Sequence, residues 1–369
     1  MPSDGRAALA LIAAAVVTGL ATPLMAQVAR RIGILDHPVG YKRHEGPTPY
    51  LGGLAILLGT MAATLPIAGV GSPLPAVAGC AAAICFLGTL DDWRPLPPFA
   101  RMAAQAVIAV VLWIADAGWS LDLPGWVNCV LTVGWVVLAT NAFNLIDNLD
   151  GTAAAAAAAS ALGIAIIALD GSEVWPVVMA AAVLGAVAAF LPYNLNRPAR
   201  IFLGDGGSNL LGLLLAVTAM AVLPGESAPV GLIAASLLLS VPILDAALTL
   251  AARRRRGIPL LTGGRDHVTH RILGLVGSVR MTAAIVAAVQ LGFSAIAVAG
   301  IVSGLPAAPV AAMGLAIAVC VGIFVTRGEV VSAEPAAGLV PAIGTADRMA
   351  ANTGLEARPG RTGPHEEAR

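Results

Sequence analysis

Charge is scarce in this sequence. Asp, Glu, Lys and Arg make up 11% of its 369 residues, against 58% hydrophobic ones. Soluble domains carry about a quarter charged residues, so this balance, with a mean hydropathy of +0.86, excludes an ordinary soluble chain. Cysteine is almost as scarce. Cys80, Cys85, Cys129 and Cys320 all sit in apolar runs and form no CxxC pair, which excludes a disulfide framework or a thiolate metal site and leaves them as small buried hydrophobes. No internal repeat of the inverted-transporter kind stands out. No obvious cleavage site follows the first apolar run, Ala7 to about Val28. That run is longer than a signal-peptide core and is expected to be retained as a span.

What the sequence does have is apolar runs long enough to cross a bilayer of about 30 Å. Eleven spans are expected, at 7–29, 51–69, 74–90, 100–117, 126–143, 152–169, 174–192, 208–223, 229–251, 280–299 and 304–325. Ten is the alternative count, because Pro and Gly crowd the ends of the third and fourth. The expected fold class is therefore all-α, a polytopic integral membrane protein. Loops after odd-numbered spans, with Arg280 at their edge, hold 15 of the 21 Lys and Arg, and the short loops after even-numbered spans hold none. The positive-inside rule puts the odd loops in the cytoplasm and the N-terminus outside. Residues 1–325 are expected to form a transmembrane catalytic domain. Residues 326–369, mixing acids, Arg, Gly and Pro, read as a disordered cytoplasmic tail.

Polar side chains concentrate in five segments, all on the expected cytoplasmic side. YKRHEGPTPYLGG (41–53) is a turn with a basic head. GTLDDWR (88–94) sets Asp91 beside Asp92 at a span end, a repulsive pair unless a cation or proton is shared. NAFNLIDNLDG (141–151) places Asn141, Asn144 and Asn148 on one face of a helix, with Asp147 and Asp150 elsewhere and Gly151 freeing the backbone to leave the helix. Polar glue between helices is the alternative reading for Asn141. IFLGDGGS (201–208) flanks Asp205 with glycines at a helix start, where backbone N–H groups favour an anion and a ligand could approach closely. RRRRGIPLLTGGRDHVTHR (253–271) joins an Arg run, read as a membrane-surface anchor, to His267, His270 and Arg271, donors suited to phosphate. A zinc site at these histidines lacks an apparent third ligand. Asp245, about two turns before the Arg run, could reach the site or pair with Arg. The hard oxygen set of Asp91, Asp92, Asn144, Asp147, Asp150 and Asp205 suits Mg²⁺, or alternatively Mn²⁺, and through it diphosphate chemistry.

From about Arg30 to Phe324 these segments, in this order and spacing, resemble the polyprenyl-phosphate N-acetylhexosamine-1-phosphate transferases. PTPYLGG, GTLDDWR, NAFNLIDNLDG and FLGDGGSNLLG carry the likeness jointly. The resemblance implies a bacterial cytoplasmic-membrane enzyme that moves a sugar 1-phosphate from a UDP-N-acetylhexosamine to a polyprenyl phosphate and releases UMP. It implies that Asp205 and Asn144 hold Mg²⁺, that Asp91 and Asp92 position the lipid phosphate or, alternatively, also deprotonate it, and that His267, His270 and Arg271 neutralise charge on the diphosphate. Phe202 would stack on uracil, with Asn141, Asp147, Asp150, Gly151 and Gly204 around the substrate. The bilayer is a further partner, a homodimer is an open alternative, and no nucleic acid is expected. Two positions depart from the family pattern: Asn148 stands where a Gly is usual, and Thr269 where a third His is common. Missing consecutive histidines tilt the reading toward GlcNAc-1-phosphate transferases over the peptidoglycan pentapeptide enzyme. Deoxy-amino-sugar donors, an anion transporter and a structural scaffold are the rival readings.

Overall fold

Apolar runs of this length cannot leave backbone N–H and C=O groups bare in lipid, so the chain folds them as helices. The computed structural model describes residues 2–37, 46–71, 73–257, 259, 264 and 266–327. Among them are α1 (Ser3–Ile32), α2 (Gly52–Ala68), α3 (Leu74–Trp93), α4 (Pro98–Ile114), α5 (Gly125–Ile146), α6 (Thr152–Leu169), α7 (Val174–Asn194), α8 (Gly204–Ala221), α9 (Ala228–Leu238), α10 (Ser240–Arg256), α11 (Val268–Val276), α12 (Val279–Val302) and α13 (Ala307–Arg327). Two-residue strands β1 (Leu35–Asp36) and β2 (Thr48–Pro49) pair antiparallel, Leu35 opposite Pro49. The fold is thus all-α apart from this one short pairing among the described residues. The expected basic head Lys42 and Arg43 lies outside the described residues; of the tail expected to be disordered at 326–369, Thr326 and Arg327 are helical at the end of α13, and the rest also lies outside the described residues.

Every expected span falls on a helix. Six helices are long and apolar enough to cross a membrane, namely α1, α3, α5, α6, α7 and α12, and the bent pair α9–α10 makes a seventh if it is one span. Both α2 and α4 stop at 17 residues.

The ninth span is not the continuous helix expected at 229–251. It breaks between α9 and α10 with a bend of 85°, and the cause is Pro242. Proline has no N–H to give the carbonyl four residues back, Leu238, and its ring crowds that carbonyl. One side chain repairs the break. Gln290 of α12, fully buried at 0% exposure, donates from Nε2 to Leu237 O (3.2 Å) and Leu238 O (2.9 Å). Its Oε1 accepts from Val241 N–H at 2.9 Å.

At the centre lies α8, whose residues from Gly206 to Met220 are all buried. It packs on α3, α5 and α2. Small residues bring these backbones together, as in lipid, where packing replaces the hydrophobic effect between helices. A Cβ at Gly53 would stand 2.3 Å from Gly207 Cα, and one at Gly88 would stand 2.4 Å from the Asp205 carbonyl carbon. The first turn of α8, and with it Asp205, is therefore pinned between the start of α2 and the end of α3.

Candidate functional site

Polar groups from the ends of α3 and α5 and the starts of α4 and α8 meet around Asp205. Its Oδ1 accepts from Asn144 Nδ2 at 2.8 Å, and the same Nδ2 lies 3.2 Å from Ser208 Oγ. Its Oδ2 is 3.3 Å from Arg101 Nη1. With a side-chain exposure of 32%, against 6% for Asp91, Asp205 is the more open of Arg101's two acids.

Asp91 and Asp92, read as a repulsive pair unless a cation or proton is shared, point to different partners. Asp91 forms an ion pair with Arg101 and accepts from Leu96 N–H at 2.6 Å. Asp92 accepts from Asp205 N–H at 3.1 Å and Gly206 N–H at 3.5 Å. The anion expected at the start of α8 is thus supplied by the protein itself, where the helix N-terminus leaves N–H groups without intrahelical partners. Gly204 has φ +74°, and a Cβ there would be 2.6 Å from Asp92 Oδ2. The close approach expected at these glycines is, in this structure, an approach of protein to protein.

The end of α5 differs from the single asparagine face expected. The helix stops at Ile146, so Asn148 leaves the face of Asn141 and Asn144, and its Nδ2 donates back to Leu145 O at 2.7 Å. Asn141 donates to Gln105 Oε1 of α4 at 2.6 Å, which is the packing role weighed for it. The break comes earlier than Gly151, where it was expected, and Gly151 instead precedes the first residue of α6. Gly151 has φ +78° and gives its N–H to Asn194 Oδ1 at 2.7 Å. Asp147, just past the helix, is flanked by Asp150. Burial pushes its carboxyl well above the usual range, and the charges of Asp205, Asp150 and Asp92 push it further. This crowding of acids is what a bound cation would relieve.

Among the described residues, no group of three His, Cys, Asp or Glu converges as a metal cage. Asp205, Asn144 and Ser208 offer a small set of hard oxygens beside an excess of negative charge. Such a set fits Mg²⁺, which is commonly held by one or two carboxylates together with substrate phosphates. It does not fit zinc, which takes three or four nitrogen, sulfur or carboxylate ligands that do not converge among the described residues.

The backbone of Ile201–Leu203 docks on the turn before α2. Phe202 N–H donates to Pro49 O (2.8 Å), and Phe202 O accepts from Gly52 N–H (3.1 Å). The half-buried Phe202 ring lies 6.1 Å from that of Tyr50 at 55°, one side of an aromatic step beside the acids. Burial, and then Asp36 and Asp92, hold the Tyr50 hydroxyl in its protonated form.

Histidine-bearing α11 is tied in by residues given no site role above. Asp245 accepts from His267 Nδ1–H at 2.8 Å and from Val268 N–H at 2.8 Å. Of its two weighed readings, this is the one that reaches the site. Arg253, 2% exposed, is not a membrane-surface anchor. It grips Asp266 through Nε and Nη2, both at 2.8 Å, while Arg254 to Arg256 are exposed. His270 and Arg271 follow on the first turn of α11. The signals were faint. Arg101 looked like any positive-inside cation at a helix start, and Arg253 was hidden in a run of four.

Arg253→Met is expected to destabilise the fold by about 3 kcal/mol, since removing one partner of a buried pair strands the other. A lowered melting temperature in detergent would show it, and an unchanged one would mean that Asp266 finds water instead. Arg253 holds the Asp266 carboxyl below its usual range. This part of the stability is complete above the ordinary carboxylate pKa and disappears as pH falls through the depressed one.

The sequence profile described as "Glycosyl transferase family 4" matches residues 74–223. The chain is 31% identical over 302 residues to a probable undecaprenyl-phosphate N-acetylglucosaminyl 1-phosphate transferase of Bacillus subtilis (strain 168), covering 78% of this chain and 83% of the relative. It is 33% identical over 318 residues to the decaprenyl-phosphate N-acetylglucosaminephosphotransferase of Mycobacterium tuberculosis (strain ATCC 25618 / H37Rv), covering 76% and 78%. It is 27% identical over 262 residues to the undecaprenyl-phosphate alpha-N-acetylglucosaminyl 1-phosphate transferase of Escherichia coli (strain K12), covering 67% and 71%.

Proposed function

This chain belongs to glycosyl transferase family 4, the polyprenyl-phosphate N-acetylhexosamine-1-phosphate transferases, and on that premise we propose that it transfers GlcNAc 1-phosphate from UDP-GlcNAc to a polyprenyl phosphate. A lipid phosphate oxygen attacks the β-phosphorus of the donor, the bond from that phosphorus to the bridging oxygen breaks, and UMP leaves with the oxygen on its phosphate. The product, a polyprenyl diphosphate sugar, would begin a cell-envelope glycan in a bacterial cytoplasmic membrane. The observation that carries this reading is the convergence of Asp91, Asp92, Asn144, Asp147 and Asp205 from three separate helix ends.

Each residue has work to do in such a transfer. Asp205 and the amide oxygen of Asn144 would hold Mg²⁺, which neutralises charge on the donor diphosphate. Asp92 fixes the first turn of α8 through two backbone N–H groups, so it sets where Asp205 stands. Asp91 and Arg101 form a charged pair beside that acid, and Arg101 can turn from Asp205 to a phosphate oxygen. The attacking lipid phosphate is already ionised near neutral pH, so positioning matters more than proton removal. His267, His270 and Arg271 would stabilise negative charge as the bridging bond breaks. Phe202, beside Tyr50, would take the uracil ring, with Asn141, Asp147, Asp150, Gly151 and Gly204 bordering the nucleoside and sugar.

Within the same proposal the helices make eleven spans in residues 1–325, α9 and α10 being one broken span. The N-terminus is outside, and the ends of α3 and α5 and the start of α8 face the cytoplasm, the side that holds the loop cations.

Detergent-solubilised protein given UDP-GlcNAc, polyprenyl phosphate and Mg²⁺ is expected to release UMP, to require the lipid, to stop with EDTA and to resume with excess Mg²⁺. Release with the UDP-MurNAc-pentapeptide donor alone would move the chain to the peptidoglycan branch. Uptake of substrate into proteoliposomes without UMP release would replace the enzyme reading with a transporter.

A further inference from the structure

Asn148 and Thr269, the two positions that depart from the family pattern, are 121 residues apart in sequence and touch in the fold: Thr269 Oγ1 donates to Asn148 Oδ1. The orientation of the amide is not arbitrary. Asn148 Nδ2 donates to Leu145 O, which can only accept, so Oδ1 is the atom turned toward Thr269. One amide therefore closes the end of α5 and reaches across to the first turn of α11. The two joined segments are the ones that carry chemistry: Asn144 and Asp147 on one side, His267, His270 and Arg271 on the other.

The packing under α11 gives this bond more to do. Only Thr269 and Ile272 of its nine residues are buried. Between it and α5, α10 and α12 lies a cavity of about 40 Å³ lined by Ile146, Leu244, Asp245, Val268, Thr269 and Val286 among others. Apolar contact alone holds α11 weakly there, because a void offers its lining no partner atoms. The polar ties near the start of the helix include Arg253 to Asp266, Asp245 to His267 and Val268, and Asn148 to Thr269. The first two run to α10. The last runs to the acidic end of α5, and Thr269 is only 1% exposed, so no bulk water substitutes for its partner.

We propose that the Asn148–Thr269 hydrogen bond is a positioning contact that sets the histidine–arginine arm against the acids at the end of α5 during transfer. It rests on the transferase reading above. A Gly at 148 has no side chain with which to make this contact.

The test is a double-mutant cycle on the full chain, read by UMP release and by thermal unfolding in detergent. Thr269→Val keeps the shape and removes the hydroxyl, Asn148→Gly removes the amide, and Thr269→Ser keeps the donor. Each of the first two is expected to lower kcat by about 10-fold with KM for UDP-GlcNAc changed by less than about 2-fold, because placement of the arm matters most in the transition state. The double variant is expected to be no worse than either single one, since contacting residues are not additive, and Thr269→Ser to stay near the parent. Additive losses, in kcat or in melting temperature, would overturn the proposal. So would melting shifts that are coupled while kcat stays intact, which would make the contact structural only. If the parent protein releases no UMP from any UDP-sugar, the transferase reading fails and the positioning role falls with it. The melting cycle would then still report on the contact itself, so the two failures are distinguishable.

Discussion

Asp205→Ala is expected to lower UMP release by about 10³-fold or more while the protein still inserts and folds. The size follows from what the side chain is asked to supply: about 4 kcal/mol of transition-state stabilisation, the amount that a single charge-stabilising group at a reacting centre contributes. The fold should survive because Asp205 is 32% exposed, Arg101 keeps Asp91, and the first turn of α8 is held by backbone N–H bonds to Asp92. Removing one acid also relieves the repulsion that raises Asp147. Asn144→Ala should lose about 10²-fold, with the carboxylate retained and its amide neighbour gone. UMP release at saturating Mg²⁺ and lipid, alongside a thermal melt, makes the comparison. If Asp205→Ala kept more than about a tenth of the activity, the metal assignment would be wrong.

A second large effect is expected at Asp245, which touches neither acid cluster. A carboxylate only accepts, so the 2.8 Å contact puts a proton on His267 Nδ1. In Asp245→Asn the new oxygen can still serve Val268 N–H, but the amide N–H₂ must then donate to the ring. The proton moves to Nε2, and the negative charge beside the ring is gone. The expected loss is about 10²-fold in kcat with a smaller change in KM, the range that a correctly placed acid–base group commands. Asp245→Ala should fall at least as far and should also melt earlier, since Val268 N–H loses its acceptor. Full activity in Asp245→Asn would mean that His267 acts only as a structural cap.

NAFNLIDNLDG, GTLDDWR and FLGDGGS were legible because ionisable groups in an apolar chain are costly unless they serve something. Their convergence on one centre also followed from the charge asymmetry of the loops. Other features were invisible for local reasons. Whether Asn148 shares a helical face with Asn144 depends on one cap at Ile146, and a period-3.6 count runs past it. Arg101 is shared between Asp91, 10 residues back, and Asp205, 104 residues on, and Arg253 pairs with Asp266, 13 residues on; a run of arginines looks the same whether a member is solvated or buried. The broken ninth span was readable in principle. Pro242 stands inside an apolar run of helical length, and the missing donor should have been counted against Leu238.

That break also bears on the order in which the chain can assemble. When α9 and α10 leave the ribosome, Leu238 O lacks the N–H that Pro242 cannot give, the bend parts Leu237 O from Val241 N–H, and the residue that satisfies all three, Gln290, lies 49 positions beyond Val241. A helical hairpin emerging at the translocon would ordinarily partition into lipid one span at a time. Here the ninth span is a poor passenger until α12 arrives, so the two must enter together or wait at the protein–lipid boundary. The elbow, with Asp245 just beyond it on His267, is thus closed by a residue of α12, and the site takes its final form only once that helix is in place.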